Sequence, residues 1–429
     1  MKKSVIIPPK TCSDQCKDCS YQCEKKIAQV PTVDQALDLW IGNLPQVNSE
    51  TETVPLPEAA GRVLAEAVLA KIDVPVDNCA THDGIAINFE SVRDKFEFQP
   101  CILQPEEFFH CPMGTAIPQT FNSIAHAEQC KLNPDGTATL LEMPVQYQSV
   151  KIKGTYVGKG EKLADVNEVL SPSHLALMQY TGHTEALVKR KTKVSVIPVG
   201  DDLMMPGQIP SAGQYIECDS IYISAITSQY GGEATVFPIV PDDSGRISQA
   251  IREALPNCDV LVVIGGVGKG EMNYGDHTLK TVREMGSIAC HGVQLGPGGK
   301  NMLLGQIDGK PVLGIPGPPH AALTMTEYFI PPILQWHLQC TVYRRTVVDV
   351  VLEHDFPSRG GGTNIWEPRV HLIESPRGYT ARLVGNMGET VENLITASAS
   401  VSVTGDLSQF QKGKKVKAKL LHNKYTFGN

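Results

Sequence analysis

Apolar and polar positions follow two different patterns along this chain. In residues 193–329 short apolar runs alternate with stretches of helical spacing. The runs at 194–199, 234–240, 260–264 and 311–315 are brief and rich in β-branched residues, and they predict buried strands. Between them, Asp219 caps a helix that runs through Tyr230 and stops at Gly231-Gly232. Ser244 caps a second, with apolar residues Ile247, Ala250, Ile251, Ala254 and Leu255. A third spans 276–285, and a fourth follows the rigid turn Pro316-Gly317-Pro318-Pro319 through Phe329. Strands alternating with helices predict a parallel sheet covered on both faces, a three-layer α/β domain over 193–337.

Outside that region the pattern is one of short strands. Thr32 and Gln35 form a capping box, and Val33, Ala36, Leu37 and Trp40 make one apolar helical face. After Leu64 strands dominate, with polar, glycine-marked loops at 78–84 and 113–118. After Cys340 short strands return at 346–352, 381–384, 400–403 and 415–420. The expected fold class is α/β plus β, and multidomain. A cysteine-rich appendage covers 1–30, a connecting domain uses 31–72 and 151–192, and a β-rich domain is inserted at 73–150. The central α/β domain follows, then a C-terminal β domain at 341–425.

Composition narrows the function classes. At 429 residues the chain is too long for one ordinary core, and 41% apolar with 20% charged residues is a soluble globular composition. The net charge is −8 with no basic stretch, which argues against nucleic acid as a partner. No apolar run approaches the roughly 20 residues that cross a membrane. The opening MKKSVIIPPKTCSDQC has two lysines and a three-residue apolar patch, so no signal peptide is expected, and the expected location is the cytoplasm.

Chemistry concentrates in two places. In DVLVVIGGVGKG (259–270) an apolar run breaks into Gly265, Gly266, Gly268 and Gly270, with Lys269 inside the turn. Glycines at a strand end let backbone approach a ligand, and a helix after the turn points N–H groups at an anion. The plainer reading is a tight turn with no ligand. Ligands of such sheets sit at the carboxyl ends of the strands, so the loops 200–207, 265–270 and 316–319 qualify. The second place is C-x3-C-x2-C-x3-C at Cys12, Cys16, Cys19 and Cys23, four of twelve cysteines. Thiolates this dense suggest an iron–sulfur cluster or zinc, although the spacing fits no standard ferredoxin run. On one helix the four would share a face and could not wrap a single metal, so the segment must bend or pair with another chain. The alternative is a flexible tail with redox-active thiols. The other eight cysteines are scattered, as reduced and buried residues are.

Six segments, in order, resemble the molybdopterin molybdenumtransferases, the molybdate insertases that include the C-terminal domain of gephyrin. They are PVDNCATHDGIAI, MGTAIP, VGDDLMMPG, DSIYISAI, IGGVGKGEMNYG and GIPGPPHAA. The likeness covers nearly all of 31–425. It implies four subdomains and an elongated homodimer, with the active site where the α/β domain of one subunit faces the 73–150 region of the other. It implies insertion of molybdate into adenylylated molybdopterin with Mg²⁺ and release of AMP. It also implies catalytic roles for Asp83, Asp202 and Asp242, and pterin or molybdate binding by Gly265, Gly266, Gly268, Lys269, Thr115, Pro316, Pro319 and Arg369, the last near the oxyanion. A molybdoenzyme client is a further implied partner.

The departures from the family pattern fall at chemically important positions. Asn273 stands where the family has aspartate, and Gly292 and Gly296 where it has two lysines. Glu389 replaces an expected serine, and Thr155-Tyr156 an acidic pair. Losing two cations and gaining an anion weakens oxyanion binding, with Lys269, His291 and Lys300 as partial replacements. Two functions follow: a divergent molybdate or tungstate insertase, or a non-catalytic pterin-cofactor carrier using the same cleft.

Overall fold

A computed structural model describes the chain except for residues 1–29, 48, 98–99, 270–274, 341–344, 357–364, 377, 385–394, 404–406 and 422–429. The four cysteines 12–23, Asn273 and Glu389 therefore lie outside the described residues. The first helix, α1 (Val33–Ile41), carries the expected capping box between Thr32 and Gln35 and buries Ala36 and Trp40. The Trp40 indole N–H donates to the Gly305 carbonyl at 2.6 Å, which ties α1 to the central sheet.

The central domain runs β1 (Thr192–Pro198), α2 (Asp219–Gln229), β2 (Gly232–Val236), α3 (Ser244–Ala254), β3 (Val260–Ile264), α4 (His277–Met285), β4 (Ser287–His291), β5 (Leu303–Ile307), β6 (Lys310–Ile315) and α5 (Pro319–Leu338). The strands form one sheet in the order β2-β1-β3-β6-β5-β4. One apolar cluster packs α1, α2 and α5 on one face, and a second packs α3 and α4 on the other. The three layers are as expected from the alternating pattern.

The sheet is not wholly parallel, however. β2, β1, β3 and β6 are parallel, whereas β5 pairs antiparallel with β6 and β4 antiparallel with β5. Asp308-Gly309, both at positive φ, closes a two-residue hairpin between β5 and β6. β4 is an edge strand with one buried residue, too weakly apolar for its pattern to announce it. β2 stops at Val236 because Pro238 has no N–H for the ladder. Asp243, not Ser244, caps α3 by accepting the Arg246 N–H at 2.8 Å. At α2 the capping carboxylate is that of Glu217, which accepts the N–H groups of Asp219 and Ser220 at 2.9 and 2.8 Å. α5 does not end at Phe329 but continues nine residues further, through Pro331 and Pro332.

The flanking parts are strand-rich. The connecting domain pairs Thr51–Pro55 antiparallel with Glu185–Lys189. The inserted domain has two three-stranded sheets, one centred on Gly84–Ile87 and one on Ala138–Leu140. The C-terminal domain is a closed five-stranded barrel. Four of its strands lie where expected, and Arg369–Ser375 is the fifth. The eight described cysteines are free, and five of them are buried. Among the described residues no helix is long and apolar enough to cross a membrane.

Candidate functional site

Three backbone bonds carry the sheet past its strand ends and set the loops level with one another. Val199 N donates to Ile264 O at 2.8 Å, Gly265 N to Ile315 O at 2.9 Å, and Gly200 N to Val240 O at 3.0 Å. The three expected loops, after β1, β3 and β6, thus share one rim at the carboxyl ends of adjacent strands. A Cβ on Gly317 would lie 3.9 Å from the Cα of Gly265, so the Pro316–Pro319 turn touches the glycine-rich turn. The end of β2 adds Asp242. Asp201 N donates to the Asp242 carboxylate at 3.3 Å, and Asp242 N to the Asp201 carboxylate at 3.2 Å. The reciprocal bonds brace two carboxylates side by side. The resemblance points to Asp202, but the residue that faces Asp242 is its neighbour Asp201; Asp202 is exposed on the same loop.

The glycine-rich turn is built differently from the expectation. Gly265 and Gly266 take φ of +93° and +64°. A Cβ at Gly265 would run into the Val199 carbonyl, and one at Gly266 would lie 2.5 Å from Thr278 Oγ1. Glycine is thus required here by the protein's own backbone. The Thr278 and Leu279 N–H groups donate to the Gly266 carbonyl at 2.9 and 3.2 Å, and Thr278 Oγ1 donates to the Gly265 carbonyl at 2.8 Å. The first turn of α4 is therefore bonded to the loop itself. The neighbouring helix start, at α5, follows Pro318 with no side-chain cap and opens on the same rim. Gly268 N is held by Gly275 O at 2.9 Å, and Lys269 is exposed.

The positions of the missing lysines lie along the same edge. β4 ends at His291, whose Nε2 meets the Val267 carbonyl at 3.0 Å. Burial lowers the His291 pKa; the bond to Val267 opposes this, and the charges of Lys269 and Arg283 add to it. The imidazole is thus held neutral near pH 7 and does not replace a cation. Gly292 has φ +98°, and a Cβ there would lie 3.1 Å from the Lys300 carbonyl. Gly296 donates its N–H to Ile365 O at 2.7 Å and accepts from Glu367 N at 3.1 Å, which fastens it to the barrel domain. The Lys300 side chain is exposed.

In the inserted domain the two glycine-marked loops join. Asp83 Oδ1 accepts the Met113 N–H at 2.7 Å. Gly114 N donates to Ala80 O, and Ala80 N to Thr115 O, at 2.8 and 2.9 Å. Asp83 and Thr115 are brought together on this ledge. Among the described residues no hydrogen bond joins the ledge to the strand-end loops of the same chain.

Arg369 is placed in neither group. It is buried, with Nη2 3.0 Å from Glu327 Oε1 on α5. Arg345 donates to the other oxygen at 3.2 Å, and Tyr222 donates its hydroxyl at 2.7 Å. Burial pushes the Glu327 carboxyl up, but the charges of Arg369 and Arg345 outweigh it and hold the group below its ordinary value. Beside it, Glu367 accepts from Tyr328, Ser400, Ser402 and Lys419. These groups seal the junction of α5 with the barrel. The charge of Arg369 is balanced there rather than offered to an oxyanion.

Comparison with known proteins agrees with this layout. Residues 31–182 match the model of the "MoeA N-terminal region (domain I and II)", and residues 195–336 that of the "Probable molybdopterin binding domain". The molybdopterin molybdenumtransferase of Haemophilus influenzae is 26% identical over 314 residues, covering 71% of this chain and 76% of that protein. The enzyme of the same name from Nostoc is 25% identical over 327 residues, covering 71% and 74%. The crystal structure of the molybdopterin biosynthesis MoeA protein from Pyrococcus horikoshii superposes with a TM-score of 0.78 at 25% identity, over 91% of this chain and 99% of that one. With its glycine-rich strand end and with both domain models matched in family order over residues 31–182 and 195–336, the chain belongs to the molybdopterin molybdenumtransferase family of molybdenum cofactor biosynthesis.

Proposed function

We propose that this chain is a molybdopterin molybdenumtransferase that inserts molybdate into adenylylated molybdopterin and releases AMP. The observation that carries the reading is the shared rim of three strand-end loops, with the Asp201–Asp242 brace at one end and the Pro316–Pro319 turn in contact with Gly265. A phosphorylated pterin needs backbone donors, and its adenylyl group needs a cation-binding neighbour. Asp201, Asp202 and Asp242 are hard oxygen donors of the kind Mg²⁺ takes. Among the described residues no three metal-ligating side chains converge, so an ion here would take most of its shell from water and substrate phosphate. When bound, Mg²⁺ would neutralise phosphate charge.

The ledge of Asp83 and Thr115 completes the site in a homodimer, where one subunit's inserted domain meets the partner's rim. Thiolates at Cys12, Cys16, Cys19 and Cys23 hold iron or zinc, which metal analysis after anaerobic purification would detect. The reading further places the protein in the cytoplasm, passing its product to a molybdoenzyme client.

A second reading, a carrier without turnover, is favoured by Gly292 and Gly296. Gly292 cannot be viewed as a lysine site with its side chain trimmed, since it sits in left-handed backbone; Gly296, where a Cβ would lie 3.6 Å from the Ile365 carbonyl, has room for a side chain but offers no charge. One experiment separates the readings. Purified protein is given adenylylated molybdopterin and then molybdate, and AMP is measured. Molybdate-dependent AMP release supports the transferase. Tight pterin binding without release supports the carrier, and no binding overturns both.

A further inference from the structure

Beside Asp83 the ledge of the inserted domain carries two stacked imidazoles. His82 precedes Asp83 in the chain, and His126 is the strand partner of Gly84, which follows it. The ring centroids are 4.6 Å apart and the rings 17° from parallel. His82 is exposed and His126 half-buried, so the stack opens to solvent. Each ring is pinned by a hydroxyl: Thr81 Oγ1 lies 3.2 Å from His82 Nδ1, and Ser149 Oγ 2.6 Å from His126 Nε2. The two hydroxyls belong to one knot. Thr81 donates its backbone N–H and its hydroxyl to the Ser149 carbonyl, at 2.8 and 3.0 Å. Ser149 holds this place at φ +53°, in left-handed backbone that a residue other than glycine adopts at a cost. Strained backbone thus fixes two side chains that would otherwise be free to turn.

The knot also decides where protons sit. The Ser149 carbonyl can only accept, so the single hydroxyl proton of Thr81 is committed to it. Thr81 Oγ1 therefore accepts from His82, whose Nδ1 carries the hydrogen. Among the described residues no partner meets His82 Nε2 or His126 Nδ1. On a neutral His82 the open Nε2 is an acceptor. It becomes a donor, and the ring a cation, only by taking a proton from solvent. A second charge on the ring stacked against it is disfavoured, so the pair suits one positive charge. The charged groups on the elements around it are Asp83 in the same loop, Glu128 in the turn after His126, and Lys151 on the strand that pairs with Cys79–Ala80. Lys151 is engaged elsewhere, with Nζ 4.0 Å from the centroid of the Tyr156 ring. An oxyanion brought to a ledge that already carries two carboxylates needs a counter-charge, and the imidazole pair is placed to supply it.

We propose that the His82–His126 stack is an oxyanion contact of the molybdenumtransferase site, taking up one proton as the anion binds and donating to it from His82 Nε2 and His126 Nδ1. The inference rests on reading the ledge as half of that site. The ligand is a tetrahedral oxyanion, either molybdate or the phosphate of the pterin. The proton passes from solvent to His82 Nε2. The ledge then brings a positive charge that Gly292 and Gly296 do not offer from the rim.

Calorimetry on the full-length chain tests it. Molybdate and adenylylated molybdopterin are titrated separately, each in two buffers of different ionisation enthalpy, at about pH 8, above the range in which imidazole ordinarily changes charge. The parent should take up about one proton per oxyanion bound. His82→Gln should bind about tenfold or more weakly and without proton uptake, as expected for loss of a charge-assisted contact. His82→Lys keeps a charge without the titration, and should bind close to the parent with no proton uptake. His110→Gln is the control. His110 pairs with Ile85, one residue out of step with the Gly84–His126 pair, so it lies on the opposite face of the same sheet, and its variant should match the parent. The titration that shows the deficit tells molybdate from the pterin phosphate. Parent affinity in His82→Gln, or weakened binding with proton uptake unchanged, overturns the proposal. If that variant also releases AMP at the parent's rate, the transferase reading stands without the pair. A parent that binds neither ligand overturns both.

Discussion

Replacing Arg369 by alanine separates two roles that the sequence alone leaves entangled. The family resemblance places this arginine near the oxyanion, whereas the structure buries it against Glu327. Breaking a buried pair by removing one partner costs roughly 3–5 kcal/mol, because the other charge is left without compensation. Glu327 keeps Arg345 and the Tyr222 hydroxyl, so the low end, about 3 kcal/mol, is the expected loss. With a urea dependence of about 2 kcal/mol per molar, the unfolding midpoint should fall by roughly 1–2 M. The loss should depend on pH. The Glu327 carboxyl is depressed in the folded parent, so its contribution is present above the unfolded value, about 4.3, and is lost as pH falls through the folded one. The gap between parent and variant should therefore be widest near pH 7 and close below about pH 4. Urea titrations at several pH values, followed by fluorescence, read this directly. A variant as stable as the parent at pH 7 but with weakened molybdate binding would refute the reasoning and return Arg369 to the oxyanion.

Four further outcomes are expected. Gly266→Val should lower stability as well as pterin binding, since the new side chain meets Thr278 first; a variant with the parent's melting temperature would contradict this. Lys269→Ala should weaken molybdate and pterin binding more than Lys300→Ala does, measured by calorimetry. Gly296→Lys combined with Glu389→Ser should raise molybdate affinity, whereas Gly292→Lys should cost about 1–2 kcal/mol of stability for a side chain at positive φ, read by thermal unfolding. Burial, with the Glu217 charge adding to it, pushes the Asp219 carboxyl up to about 7. The folded state then holds a proton that the unfolded chain releases near pH 4, so parent stability should fall between about pH 4 and 7, and Asp219→Asn should flatten that slope.

The architecture was legible where the pattern was strong. The runs at 194–199, 260–264 and 311–315 hold twelve β-branched or leucine residues among their sixteen and form β1, β3 and β6 within two residues at each end. β4 leaves little trace in the pattern because it is a half-exposed edge, and the only local sign of the β5–β6 hairpin is the Asp308-Gly309 pair. The rim was legible as three loops, since glycine and proline mark strand ends. Its electrostatics were not. Whether Asp201 or Asp202 turns to Asp242, or whether His291 carries charge, depends on burial and on partners far apart in sequence. Arg369 shows the same limit. A motif match placed it, and Glu327, 42 positions earlier, took its charge.

The helix α5 has a bearing on how the molecule comes apart. At 20 residues it is about 30 Å long. It starts at the Pro316–Pro319 turn, passes Glu327 and Tyr328 beneath the barrel, and ends where Lys189 Nζ of the connecting domain meets the Leu338 carbonyl at 2.6 Å. Three domains thus rest on one rod. Its amides should exchange with solvent at a single slow rate along most of its length, and loosening at either end should be felt as a loss of protection at the other. A blow to the distant barrel junction would then register at the rim as a softened turn beside Gly265.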